Sequence, residues 1–436
     1  MREYSGLMPQ SSQKSYRKLH KALESASNVA YDGKVSTRAA FASVATAGLL
    51  LKVLREEGLG TRASLSEHTG LSRAAMNQRL ALLLAHDLVG TDGQGRSTGG
   101  RPPVQFHFNS LAGLVLGIDI GISATRIGIA DLSGQILADV SGDLSIEDGP
   151  ESVLAWVATR ADGLLAKVGA APNRLWGVGV GVPGPVEFDA GRVVDPPFMP
   201  GWDRFPIRKW FTDRYECPAV VDKDANIMAL GEYRTAWTHL RHVLFVKVGT
   251  GVGCGIVVDG RAYRGASGAA GDIGHIQLQG YGDPICRCGN RGCVEAIAGG
   301  WALVRDLQAT GASVRTARDV ARMAHDRNPD ALAAIRRAAH VLSEALADAV
   351  NLFNPSVVIL GGSIGLAHGE FLAGVREVIY QRSLPLATQG LQIVPSSLGD
   401  RVGVIGAAHL VADLVLEPVA VDQRLARAAS RHPDGS

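Results

Sequence analysis

Four side chains with donor atoms for a soft metal stand close together in the chain: His275 and the thiols of Cys286, Cys288 and Cys293. Three of the five cysteines fall within eight residues. Thiolate and imidazole are the donors that tetrahedral Zn²⁺ prefers. Gly289 and Gly292 let the backbone fold tightly enough for the three sulfurs to face one point. The opposing reading is a disulfide-linked or unpaired thiol cluster. It is disfavoured because the first residues are polar and charged, with no apolar secretion segment. If protein fills all four positions, the zinc is structural and cannot activate water. Asp272 lies three residues before His275, and Glu295 two after Cys293. A closed knot would hold both carboxylates beside a common cleft, where such acceptors suit the hydroxyls of a polyol.

The elements that must position these groups read as an α/β body. Leu114 to Ile120 is a nearly continuous apolar run, as in a strand buried on both faces. Arg126 to Asp131, Trp176 to Val182, Leu244 to Val248 and Val357 to Leu360 read as further strands. Several end in turns rich in glycine or proline: Gly121 to Ser123, Pro183-Gly184-Pro185, Gly249 to Gly255 and Gly361 to Ser363. Backbone amides in such turns can wrap phosphate. Ala331 to about Phe353 is Ala-rich and periodic, a helix between Pro329 and Pro355 that offers a dimer surface.

At 436 residues the chain has room for about three domains. No apolar run approaches the roughly 18 residues of a membrane span, so a reduced, cytoplasmic protein with no membrane partner is expected. The net charge of +2 hides an asymmetry. Residues 1–110 carry 14 Lys+Arg against 8 Asp+Glu, and the remainder carries 30 against 34. A basic front end on an acidic body fits nucleic-acid attachment through one domain.

The front end begins with an arm, residues 1–38, read as flexible and basic. Ala39 to Glu57 is apolar at helical spacing and stops at Gly58. A short helix follows from Thr61 to His68, then the turn Thr69 to Ser72, then a helix from Arg73 to His86 with Ser72 as N-cap. Met76, Leu80, Leu83 and Leu84 form its buried stripe. Short helix, glycine turn and longer helix make a helix-turn-helix. Ser72, Arg73, Asn77 and Gln78 then face the major groove, where Arg forks onto guanine and Asn or Gln onto adenine. Leu88-Val89 and the alternating run Val104 to Asn109 flank a Gly/Arg tip, a wing that offers Arg101 to a minor groove. A three-helix protein-interaction module is the competing reading for residues 39–110.

The stretch from Gly271 to Glu295 resembles the ROK family of repressors, open reading frames and kinases. The family pattern is Glu-x-Gly-His followed by Cys-x-Cys-Gly-x-x-Gly-Cys-x-Glu, and the cysteine part matches in full. The resemblance runs over roughly Gly117 to Leu410. It implies an actin-like ATPase (ribonuclease H-like) body of two lobes, residues 111–230 and 231–416, with a sugar bound between them. It places Gly184, Lys223, Asp224, Asp272, His275 and Glu295 at the sugar, with Asp224 as the catalytic base or its vestige. It places Asp119, Gly121, Ser123, Gly249, Thr250, Gly251, Gly253 and Gly362 at phosphate. Pro200-Gly201-Trp202 matches a further cleft segment. The front end resembles the winged helix of regulators in the family.

Three positions depart from the kinase pattern. Ile122 stands where a glycine permits close approach to phosphate. Lys223 replaces an Asn and cannot accept hydrogen bonds. Beside Asp224, such a cation would weaken a base or bind an anionic sugar. Asp272 replaces Glu and is shorter by one methylene. The reading that follows is a sugar-responsive DNA-binding regulator, a repressor, acting as a homodimer or dimer of dimers on an operator. Its alternative is an ATP-dependent sugar kinase with an added DNA-binding domain, in which ATP and Mg²⁺ would bind. A scaffold binding a transporter component is a third reading. Residues 417–436 are expected to be disordered.

Overall fold

The computed structural model describes residues 46–92, 103–367 and 369–431. The described residues up to Asn109, together with those from Val421 onward, form one compact unit; Ser110–Ala420 form the other. The arm at residues 1–38, the expected helical residues 39–45 and Arg101 lie outside the described residues.

In the first unit, helix Ala47–Glu57 starts at Thr46, whose hydroxyl accepts from Leu49 N, and ends at Gly58 with φ 79°. Strand β1 (Leu59–Thr61) leads into helix Arg62–Thr69, closed at its start by a reciprocal Thr61–Ser64 capping box. Gly70, at φ 69°, turns the chain toward helix Arg73–Ala85, where Ser72 Oγ accepts from Ala75 N. Strands β2 (Val89–Asp92) and β3 (Gln105–Phe108) pair antiparallel, and β1 joins the far side of β3. Met76, Leu80 and Leu83 bury with Leu50, Leu54, Leu65 and Phe106. Helices and strands together give a winged helix-turn-helix.

The end of the chain corrects the expectation of disorder. Helix Pro418–Arg431 is formed, Val421 and Leu425 are buried, and the Asp422 carboxylate accepts from Gly48 N at 3.0 Å. Val421 and Leu425 are four apart, so they share one helical face. The carboxylate caps an orphan amide in the first turn of helix Ala47–Glu57.

The body holds two five-stranded sheets wired alike. In the first, β4 (Leu114–Ile120), β5 (Thr125–Asp131) and β6 (Ile136–Gly142) form an antiparallel meander. β7 (Leu175–Val182) pairs parallel to β4; past the small hairpin β8 (Val186–Glu187) and β9 (Arg192–Val193), β10 (Ala219–Lys223) pairs parallel to β7. In the second, β11 (His242–Val248), β12 (Val252–Val258) and β13 (Arg261–Ala262) repeat the meander. β14 (Val357–Gly361) and β15 (Gln392–Pro395) repeat the parallel pair.

Helices Asp224–Glu232 and Val402–Val415 cross between the sheets at backbone contact. A Cβ on Gly406 would lie 1.7 Å from Ile227 O, and one on Gly179 of β7 would lie 2.0 Å from Ala407 O. Glycine at both positions fixes how near the two lobes come. Helix Pro329–Phe353 begins at the Asn328 cap, and its alanine face packs into the second core. The two sheets, each with its helices, are the actin-like, ribonuclease H-like architecture.

Candidate functional site

The strand ends of the two sheets meet at a cleft. A cavity of about 480 Å³ is lined by Gly184, Lys223, Asp224, Asp272, His275 and Glu295, and also by Asp195, Phe198, Lys247 and Arg287. All six residues read from the sequence as sugar-facing therefore share one cavity. Asp119, Gly121, Ser123, Gly249, Thr250 and Gly362 line a neighbouring cavity of about 240 Å³. Gly251 and Gly253 are not with them; they line the first cavity. Ile122 borders both.

Glu295, Asp272 and Asp224 in the first cavity are already engaged. Glu295, 4% exposed, accepts from Val252 N at 2.9 Å and from Trp301 Nε1 at 3.4 Å. A Cβ on Gly251 would stand 2.5 Å from Glu295 Oε2, so a side chain there would displace the carboxylate. Asp272 accepts from Lys223 Nζ at 2.8 Å, and the same ammonium donates to Ala270 O at 2.9 Å. This corrects the pairing expected from sequence. Lys223 ends β10 and points to Asp272, while its neighbour Asp224 opens a helix and points elsewhere. The cation on Asp224 is Lys247, whose Nζ donates to Oδ2. With its ammonium held by Asp272 and Ala270 O, Lys223 has no free charge for an anionic sugar.

Lys247 lies at the end of β11, in the apolar run Leu244 to Val248. A lone Lys in a buried strand just before a glycine turn was the sequence signal that went unread. Burial disfavours its charge, yet Asp224 and Asp119 outweigh burial and raise its pKa. Burial likewise pushes the Asp119 carboxyl up to about 7.

Asp222 and Arg264 were also missed. Asp222, 2% exposed, accepts from Lys223 N and Asn226 Nδ2 on one oxygen and from the Arg264 guanidinium on the other. Arg264 in turn covers the Phe188 ring at 3.7 Å. The Pro200-Gly201-Trp202 segment differs from expectation as well. Trp202 is fully buried, with Nε1 donating to Ile146 O, and Phe198 faces the cavity in its place.

The donor atoms of His275, Cys286, Cys288 and Cys293 lie within 4.8 Å of one another. His275 Nδ1 is 3.8 Å from Cys286 Sγ, and Cys288 Sγ is 3.8 Å from Cys293 Sγ. The cysteines are free. Three sulfurs and one ring nitrogen at these separations can hold a metal ion. Cys293 N-caps helix Val294–Ala298, which carries Glu295, so the cluster and the carboxylate are joined by one turn of chain.

In the winged unit, Arg73, Asn77 and Gln78 are exposed on their helix. Asn77 Oδ1 accepts from Arg62 Nε at 3.1 Å, and Arg62 covers the Phe106 ring at 4.8 Å.

The fold, cleft and cluster define a two-lobed body of the actin-like class joined to a winged helix. The ROK family pattern matches residues 115–414, and the chain belongs to that family. The xylose repressor of Bacillus spizizenii is 31% identical over 373 residues, covering 85% of this chain and 96% of that protein. Such coverage exceeds what Ser110–Ala420 alone can supply, so it extends into the winged unit. A solved ROK family transcriptional regulator, a homologue of the E. coli MLC protein, superposes with TM-score 0.74 at 24% identity. It covers 87% of this chain and 98% of its own, and shows the same fold. A ROK glucokinase from Streptomyces griseus, solved with glucose and AMPPNP, is 28% identical with TM-score 0.59, covering 68% of this chain and 99% of its own.

Proposed function

We propose that this chain is a sugar-responsive transcriptional repressor of the ROK family. One observation carries the reading: a polar cleft of about 480 Å³ and a winged helix-turn-helix occur in one chain, over a span shared with xylose repressors. Asp224, Asp272 and Glu295 supply acceptors, and Lys223 a donor, for the hydroxyls of an aldose. Gly184 gives a close backbone wall. The metal cluster, with Zn²⁺ as its ion, ties His275 and the Glu295 helix into one rigid edge; with four protein donors it has no open coordination position. Arg73, Asn77 and Gln78, with Ser72 at the helix start and Arg101 on the wing, meet operator DNA. A homodimer or dimer of dimers in the cytoplasm reads paired half-sites one turn apart. Effector and operator are coupled through their different affinities for two states of the protein.

The kinase alternative is disfavoured by one contact. Lys247 holds the carboxylate that would have to take a sugar proton.

The test is an operator-binding titration against a panel of aldoses, xylose first, with ATP turnover assayed in parallel. A sugar that shifts operator affinity without turnover supports the reading. Sugar phosphorylation abolished by Asp224→Asn would refute it. Arg73→Ala should cost about 1–3 kcal/mol and relax one operator position.

A further inference from the structure

Lys247 and Ile122 are the residues that line both cavities, and Lys247 alone of the two carries charge there. Its cross-strand neighbours are Gly253 and Gly361, so no side chain shields it within the sheet. Its ammonium bonds one carboxylate and shares a cavity with a second. One is Asp224, bonded through Oδ2. The other is Asp119 at the end of β4, which lines the smaller cavity together with Lys247 and whose charge acts on it. Asp119 Oδ1 is closed to solvent and has no hydrogen-bond partner. Its Oδ2 lies where a Cβ on Gly403 would stand, 2.1 Å away, at the first turn of helix Val402–Val415. Asp119 lines one cavity and Asp224 the other, with Lys247 on both, and two carboxylates that repel one another out of water favour a cation beside them. Oxygen donors of this kind are what Mg²⁺ or Mn²⁺ takes.

We propose that the Lys247 ammonium is an internal counter-ion occupying the position a divalent cation would take between Asp119 and Asp224, so that the cleft receives a neutral polyol without metal or nucleotide. The inference deepens the reading of the cleft as an effector site, but its test reads metal alone, so either can fail without the other. With Lys247 in place, its positive charge offsets one of the two carboxylates, and a divalent ion would meet the ammonium that already holds Asp224. Without the ammonium, the same carboxylates become a cation site.

The experiment is Mn²⁺ titration of the full chain, followed by the electron paramagnetic resonance signal of free Mn²⁺ and by thermal unfolding. Wild type should leave the signal unchanged. K247A should bind one Mn²⁺ per chain and unfold at higher temperature as Mn²⁺ is added. K247A/D119N should lose both responses. K247M keeps the bulk of the stem without the charge and should also gain Mn²⁺ binding, which covers the case in which K247A does not fold. A variant that folds only with Mn²⁺ supports the proposal. It is overturned if neither variant binds or is rescued by Mn²⁺, or if wild type binds Mn²⁺ in a way that D119N abolishes.

Discussion

Replacing Arg264 with alanine should destabilise the body by about 3–4 kcal/mol. Asp222 is 2% exposed, and Arg264 is its cation. Arg264 Nε lies 2.9 Å and Nη2 2.7 Å from Asp222 Oδ2. The other oxygen is held by neutral donors, Lys223 N and Asn226 Nδ2, each at 2.8 Å. Removing the guanidinium leaves a buried charge with one oxygen unpaired, which costs about 3–5 kcal/mol. The Arg264 side chain is 22% exposed, so water can reach the vacated space and the lower end applies. Loss of its stacking on Phe188 adds about 0.5–1 kcal/mol. The assay is urea unfolding followed by tryptophan fluorescence. All six tryptophans lie between Trp156 and Trp301, so the signal reports the body alone. A double-mutant cycle with D222N should show coupling of about 1.5–3 kcal/mol. A loss under about 1 kcal/mol for R264A, or strictly additive single mutants, would refute the account of Asp222 as a buried charge held by one cation.

Three further outcomes are expected. Chelation, or C293A, should release one metal ion per chain and loosen the Glu295 edge, measured by metal analysis and by faster proteolysis between Gly271 and Glu295; a chain that resists cleavage after metal removal contradicts a structural role. D422A should cost about 0.5–2 kcal/mol in the winged unit through loss of the contact to Gly48 N, read by hydrogen exchange in residues 47–57; unchanged protection there would mean the helix end is held otherwise. The third is a pH effect. The folded Asp119 carboxyl titrates near 7 against 3.8 for the free group, so the folded chain keeps its proton longer. Its contribution to stability is present below about 4 and is lost as pH rises to about 7. D119N should lack that slope, and parallel stability curves for the two proteins from pH 4 to 8 would count against the assignment.

Much of the architecture can be read locally. The helix starts at Thr61 and Ser72, the stops at Gly58 and Gly70, and the buried runs at Leu114 and Val357 are short-range signals, and the structure places elements there. The donor group His275, Cys286, Cys288 and Cys293 is equally local, since its members span nineteen residues. The helix at Pro418–Arg431 is not legible locally, because its apolar face is marked by little more than Val421 and Leu425. Its Asp422 carboxylate finds its partner, Gly48 N, 374 residues away.

What the sequence by itself determined was the set of elements, the metal-donor cluster and the kind of residue in the cleft, because caps, periodicity and donor spacing act over a few residues. What tertiary structure alone decided was who pairs with whom. Lys223 reaches Asp272 across 49 positions, Lys247 reaches Asp224 across 23, and Arg264 reaches Asp222 across 42. Those pairings follow from the register of β10, β11 and β12 and from two helices touching at glycines. A charge's partner is set by the side chains within a few ångströms of it, and chain order does not encode that distance.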